Sequence, residues 1–350
     1  MKLGIFLPNW IGDVAMATPT LRALRQHFAD AELIGILRPY VADVLAGTHW
    51  LDRTILYDPR SRQPRQRGWP LVRQLRRARL DTAILLTNSL RTGLLAWASG
   101  AGERIGYVRG MRGPLLSRKL YPPRQHRRLV PTPAVDYFLD LAYAAGCPPQ
   151  SPRLELATTA EDDEQADRVW SQLGLPAGRE VIALNSGGAF GAAKLWPTEY
   201  FAVLARRIAT ELDRQVLVLC GPSERSLARQ IASEAGHRGV HSLADEQLGI
   251  GLTKACIRRS RLLVTTDSGP RHFAAAFDVP AITLFGPTHI EWSENHHPLA
   301  VHLQLKLDCA PCQRRICPLG HHACMRNLAP EQVFRAVTEQ LATNLDRQVA

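Results

Sequence analysis

Three junctions in this 350-residue sequence carry side chains that can handle protons and phosphates. The first is Pro8-Asn9-Trp10-Ile11-Gly12-Asp13, between an apolar run at 3–7 and an amphipathic stretch that begins at 14. Gly12 permits a tight turn there, and Asp13 suits either of two roles: a helix N-cap, or a base that takes a proton from a substrate hydroxyl. The second junction, residues 185–197, reads Asn-Ser-Gly-Gly-Ala-Phe-Gly-Ala-Ala-Lys-Leu-Trp-Pro. Glycine lets backbone amides come close to a phosphate, and Lys194 adds a compact cation, which makes Ser186, Gly187 and Lys194 candidate contacts. A merely flexible loop is the alternative. The spacing is neither the P-loop nor the dinucleotide G-x-G-x-x-G, which disfavours an ordinary nucleotidase or dehydrogenase. The third junction is Thr265-Thr266-Asp267-Ser268-Gly269-Pro270-Arg271-His272. Ser268 and Gly269 offer a hydroxyl and amides at a helix start, suiting a diphosphate. Asp267 can bind sugar hydroxyls or a cation, and His272, one turn on, either reaches the phosphate or fills a structural place. Gly286-Pro287-Thr288-His289 can line the same pocket. Glu224 is placed for ribose hydroxyls or serves as an ordinary first-turn glutamate.

Such residues need strands that end and helices that begin at them. The chain supplies both in alternation, which indicates α/β architecture with parallel sheets. Strands are expected at 3–7, 33–37, 53–56 and 82–86, and again at 181–184, 215–219, 262–265 and 281–284. Helices are expected at 14–27, 71–79, 135–145, 160–173, 198–212, 223–235, 269–277 and 330–345, with 107–134 as surface loop. Pro148, Pro149 and Pro152 mark a linker. The reading is two Rossmann-like domains, 1–152 and 153–329, whose ligands sit where strands end and helices begin.

Composition is that of an ordinary globular chain, 45% hydrophobic and 21% charged. No apolar run approaches the roughly 20 residues that span a bilayer, and 3–7 lacks the features of a secretory signal, so a cytoplasmic chain without a transmembrane segment is expected. Residues 1–150 hold 22 Lys and Arg against 10 Asp and Glu, so the first half carries all of the +11 net charge. That excess is either a solvated arginine-rich surface or a face for a polyanion. Seven cysteines, an odd number, argue against a disulfide framework. Four of them, Cys309, Cys312, Cys317 and Cys324, read C-x2-C-x4-C-x6-C. They suit a structural zinc or a reduced, redox-sensitive thiol cluster, and are left out of the catalytic set.

Asp13, Lys194 and Asp267 together resemble glycosyltransferase family 9, the heptosyltransferases. The run at 189–197, Ala-Phe-Gly-x-Ala-Lys-x-Trp-Pro, is similar to the heptosyltransferase II branch rather than the heptosyltransferase I branch. Asp267-Ser268-Gly269 with His272, then Gly286-Pro287-Thr288, completes the signature, and the resemblance spans the whole chain. It implies a GT-B fold, two Rossmann-like domains facing a central cleft, with helix 330–345 packed back on the first domain and residues 148–152 as part of a hinge. It implies an enzyme that moves L-glycero-D-manno-heptose, with inversion and without metal or other cofactor, from ADP-heptose to a heptosyl-Kdo2-lipid A acceptor at the inner membrane surface. On the same analogy Asp13 is the catalytic base and Lys194 neutralises the leaving diphosphate. Ser186, Gly187, Ser268, Gly269 and His272 hold the donor, Asp267 its heptose and Glu224 its ribose. A family 9 transferase for another sugar or acceptor is the alternative, as is a non-catalytic protein that binds nucleotide sugar or nucleic acid. The absence of the basic-aromatic interleaving used on single strands speaks against nucleic acid.

Overall fold

The computed structural model describes residues 1–349 apart from Arg127, Arg179 and Ala189, with side chains as far as 343. Ala189 of the glycine-rich loop and Arg127 of the basic stretch lie outside the described residues, as do the side chains of 344 and 345. The chain forms two compact units, Met1–Ala157 with Glu291–His296, and Thr158–Ile290 with His297–Ala350.

The first unit holds β1 (Lys2–Phe6), β2 (Glu32–Leu37), β3 (Arg53–Leu56), β4 (Thr82–Leu85), β5 (Glu103–Tyr107) and β6 (Arg118–Leu120). All pair in parallel, in the order β3-β2-β1-β4-β5-β6. Its helices are α1 (Ile11–Met16), α2 (Thr18–His27), α3 (Gly68–Ala78), α4 (Leu90–Ala98) and α5 (Ala134–Ala144), and a short antiparallel pair joins β7 (Arg124–Gln125) to β8 (Arg128–Leu129). In the second unit β9 (Ile182–Asn185), β10 (Val216–Leu219), β11 (Val240–Ser242), β12 (Leu262–Thr266), β13 (Ala281–Phe285) and β14 (Ala300–Gln304) repeat the plan as β11-β10-β9-β12-β13-β14. Its helices are α6 (Ala160–Gln172), α7 (Thr198–Glu211), α8 (Arg225–Ala235), α9 (Ile250–Arg259), α10 (Pro270–Ala276), α11 (Ile290–Ser293, at the division between the units), α12 (Ala323–Arg326) and α13 (Pro330–Val349).

The central strands read as unbroken apolar runs because helices cover both faces of a parallel sheet. Val-Leu-Val-Leu in β10 and Leu-Leu-Val-Thr-Thr in β12 are buried throughout. In α7 the buried Phe201, Leu204, Ala205 and Ile208 recur at helical spacing and face that sheet. Each such Leu, Ile or Phe contributes about 1.5–3 kcal/mol. A capping box at Thr159 and Asp162 fixes the start of α6. In each sheet the strand order reverses beside one strand, at β1/β4 and at β9/β12. Loops leaving two neighbouring strands there diverge and open a crevice at the carboxyl ends.

Two features depart from the sequence expectation. The strands at 103–107, 118–120, 240–242 and 300–304 and the helices at 90–98 and 250–259 are additional. The stretch 107–134 is not all loop, since β6 lies in it and Arg112 is fully buried. The Arg112 guanidinium donates to the carbonyls of Tyr107 (3.0 Å) and Thr87 and to Asn88 Oδ1 (3.1 Å), and burial pulls its pKa down to about 10. The first unit runs through the proline-rich stretch to Ala157. Arg22 donates to the carbonyls of Ser151 and Arg153 and pairs with Glu155, which ties the chain to α2 as far as 157. Within the second unit, α13 is held by side chains at both ends of its described length. Arg207 on α7 pairs with Glu331 and stacks on Phe334 at 3.9 Å, and Gln340 donates to the Leu299 carbonyl at 3.0 Å.

Candidate active site

The second unit gathers eight of the nine expected site residues at the carboxyl ends of β9, β10 and β12. Asn185 closes β9, and its amide reaches Gly187 O, Thr265 Oγ1 and Ser268 Oγ at 3.0–3.2 Å. Thr266 Oγ1 donates to the same Gly187 carbonyl at 3.0 Å. The loops after β9 and β12 are thereby stitched into one surface. Glu224, after β10, accepts the Gly221 N–H at 2.8 Å, and its carboxylate lies so close over Gly187 that a methyl group there would overlap it. A side chain at 187 would have to turn the flexible end of Glu224 aside. Gly191 is a stricter case, with φ +150° and the Arg315 carbonyl where a Cβ would stand.

Lys194 and Asp267 form the centre. Lys194 Nζ donates to Asp267 Oδ2 at 2.6 Å and to the Asp267 carbonyl at 3.0 Å, and sits 4.5 Å from the centre of the Phe190 ring. Thr288 donates to Oδ2 at 2.7 Å, and Arg271 stands 3.6 Å from Oδ1. Lys194 and Asp267 are only 9% and 7% exposed. Burial alone would raise the Asp267 carboxyl. The charges of Lys194 and then Arg271, with the hydrogen bonds from Lys194 and Thr288, outweigh it and hold the group below the usual carboxylate range. A cation fixed in this way can turn part of its field toward an anion that arrives beside it.

His272 is buried one turn into α10. Burial, reinforced by the neighbouring Arg271 charge, pushes its pKa well below the ordinary value, so its ring is neutral at pH 7. In the first turn of α10 the N–H groups of Arg271 and His272 are already bonded to the Ser268 and Gly269 carbonyls. Ser268 and Gly269, at the start of the same turn, are half-buried. Ser186 Oγ is buried without a hydrogen-bond partner among the described residues, an arrangement that native structures rarely leave unused. Asp13 lies in the first unit, in the first turn of α1, whose N-cap is Trp10 with no side-chain cap. Asp13 is thus not the N-cap residue itself but an acidic group in the first turn.

Arg271, Asn185, Thr266 and Thr288 complete the site. The signal for Thr288 lay in Gly286-Pro287-Thr288; nothing in the sequence marked Arg271 as a second cation on Asp267. The cysteine lobe abuts the same loops. The Arg315 carbonyl accepts the Ala193 N–H at 3.0 Å, and Gln313 N–H donates to Pro287 O at 2.7 Å. Burial raises the Cys324 thiol, with the nearby Cys312, Cys317 and Cys309 adding to the shift. Among the described residues no group of three or more His, Cys, Asp or Glu is arranged to hold a metal ion.

The profile of glycosyltransferase family 9 (heptosyltransferase) matches residues 69–323. Lipooligosaccharide heptosyltransferase 2 of Campylobacter jejuni is 26% identical over 340 residues, 95% of this chain and 96% of that one. Among solved structures, the Escherichia coli ADP-heptose LPS heptosyltransferase II superposes with a TM-score of 0.77 at 23% identity, covering 98% of this chain and 99% of its own. The Escherichia coli heptosyltransferase WaaC, solved with ADP-2-deoxy-2-fluoro heptose, gives 0.69 at 19% identity, over 97% and 99%. These likenesses establish the fold as GT-B.

Proposed function

Because the chain belongs to glycosyltransferase family 9, we propose that it transfers L-glycero-D-manno-heptose from ADP-heptose to the heptosyl-Kdo2-lipid A inner core of lipopolysaccharide, with inversion and without a metal. The observation that carries this reading is the buried Lys194–Asp267 pair at the β9/β12 switch point. Sugar transfer to a hydroxyl leaves a diphosphate whose growing charge needs compensation, and the transition state is oxocarbenium-like. Lys194, with the Ser268 and Gly269 amides and the Ser186 hydroxyl, supplies that compensation from the protein's own groups. Neutral His272 supports a phosphate contact as a donor without adding charge. Asp267, kept ionised by Lys194 and Arg271, suits the heptose hydroxyls, and Glu224 the ribose. Asp13 takes the proton of the attacking acceptor hydroxyl on the face opposite the leaving group, which inverts the anomeric centre. The chain then works in the cytoplasm at the inner face of the inner membrane.

The test is acceptor-dependent ADP release from ADP-heptose in EDTA. Wild type should turn over, and Asp13→Asn should lose about 10²–10⁴-fold in kcat with donor affinity unchanged. Turnover that survives in the mutant would remove Asp13 from the role of base. Loss of wild-type activity in EDTA, restored by a divalent cation, would overturn metal independence.

A further inference from the structure

The outer surface of the first unit carries an unpartnered face built from α3 and α4. Leu90, Leu94 and Trp97 follow one another at i, i+4 and i+7 along α4, so they share a single stripe. They are 39%, 46% and 59% exposed, and Trp69 at the start of α3 is 58% exposed. Arg76 joins the two helices: its Nε donates to the Ala98 carbonyl at 2.9 Å, and its guanidinium lies 5.4 Å from the centre of the Trp69 ring. Beside them opens a groove of about 600 Å³ lined by Tyr57, Pro64, Arg67, Leu71, Arg91 and Leu95.

Charge on this face has one sign. Residues 60–79 contain eight arginines and no acidic residue. Arg62, Arg65, Arg67, Arg73 and Arg77 are all exposed, and none forms an ion pair among the described residues. Carboxylates elsewhere in this unit are engaged, for example Asp58 with Arg38 and Asp52 with Arg25. An exposed apolar stripe rimmed by uncompensated arginines fits neither water nor an ordinary protein surface. It fits the boundary of an anionic bilayer, where tryptophan rings settle at headgroup level and arginines meet lipid phosphates. A duplex would use the arginines but would leave the Leu90–Leu94–Trp97 stripe and the apolar groove without a purpose.

We propose that the α3/α4 face is a membrane-docking surface that seats the enzyme on anionic lipid, with Trp69, Leu94 and Trp97 entering the interface. This deepens the proposed function and rests on it, because a lipid-anchored acceptor is reached from the bilayer surface. Binding draws on apolar insertion and charge together, so removing either weakens it.

The experiment is sedimentation of the full chain with vesicles of phosphatidylcholine alone or mixed with phosphatidylglycerol, at low and high salt. Wild type should bind the anionic vesicles at least tenfold more tightly, with the preference falling as salt rises. W69S/L94S/W97S and R62Q/R73Q/R77Q should each lose tenfold or more. Thermal midpoints should be retained, since these side chains are exposed. Tryptophan emission of wild type should shift to the blue on vesicles, and that shift should vanish in the triple Trp/Leu variant. Both variants should transfer sugar normally to a deacylated, water-soluble acceptor and poorly to vesicle-borne acceptor. Variants that bind vesicles as well as wild type would overturn the proposal, as would arginine-dependent binding to duplex DNA without binding to lipid. Vesicle binding that behaves as expected, with no transfer to either acceptor, would keep the surface and overturn the proposed reaction instead.

Discussion

The two sheets follow one plan, each reversing strand order next to its first strand, yet they treat charge in opposite ways. At β9/β12 the charges point inward, are almost dry and hold one another: Lys194 on Asp267, Arg271 behind it, Thr288 beside it. On α3 and α4 they point outward, wet and unpaired, around exposed tryptophans. A fold shared by both halves thus settles neither function, which is set by what is grafted at the strand ends and helix faces. Desolvated charges are fixed in number and place, because each lost partner leaves an uncompensated ion. Solvated arginines are interchangeable and act by their sum.

Breaking that contrast should start with the largest effect. Lys194→Ala strands the Asp267 carboxylate with reduced compensation and should cost about 3–5 kcal/mol in urea unfolding. A loss under 1 kcal/mol would mean that Arg271 and Thr288 suffice to hold it. Gly187→Ala should come next: the new methyl turns Glu224 aside and breaks its bond to the Gly221 N–H, costing about 1 kcal/mol and weakening donor binding measured by calorimetry, while Gly188→Ala, with room around it, should cost less. His272 sharpens the comparison through pH. Its folded pKa lies below its unfolded value, so the unfolded chain binds the proton first as pH falls. Stability should therefore drop below about pH 6.5 by at most about 1.4 kcal/mol per pH unit, and His272→Gln should remove that component of the slope. Asp267 has the same sign at lower pH, since its depressed carboxyl loses stability as pH falls through the folded value. Smallest of all, Arg73→Gln and Arg77→Gln should move stability by no more than about 0.5 kcal/mol, with an unfolding midpoint indistinguishable from wild type.

The inward site was largely legible in sequence. Glycines, a lysine, and an Asp-Ser-Gly run at strand ends mark a candidate crevice, and the structure brings Ser186, Gly187, Lys194, Glu224, Asp267, Ser268, Gly269 and His272 into one unit. That Lys194 and Asp267 grip each other was not legible, because spacing along the chain does not report a contact across 73 residues. The central strands were found from their apolar runs. Of the outer ones β3 was found, and β5, β6, β11 and β14 were missed for a physical reason: Glu-Arg-Ile-Gly-Tyr in β5 and Arg-Lys-Leu in β6 carry charges, β11 is only three residues long, and β14 is only half-buried along its length. Arg112 and Lys254 show the same limit from the other side, both fully buried where hydropathy places them on the surface. A guanidinium satisfied by backbone carbonyls leaves no trace in composition.

Residues 309–324, with their cysteines and prolines, look like an ornament at the edge of the second sheet. Two of their backbone groups nevertheless hold Ala193 and Pro287, one on each side of the Lys194–Asp267 pair. The lobe is therefore a measured span between two fixed points, free to change its surface side chains but not its length. An insertion or deletion of one residue between Gln313 and Arg315 would register at the lysine, and a graft from a relative would transfer cleanly only if it kept that stretch at the same count.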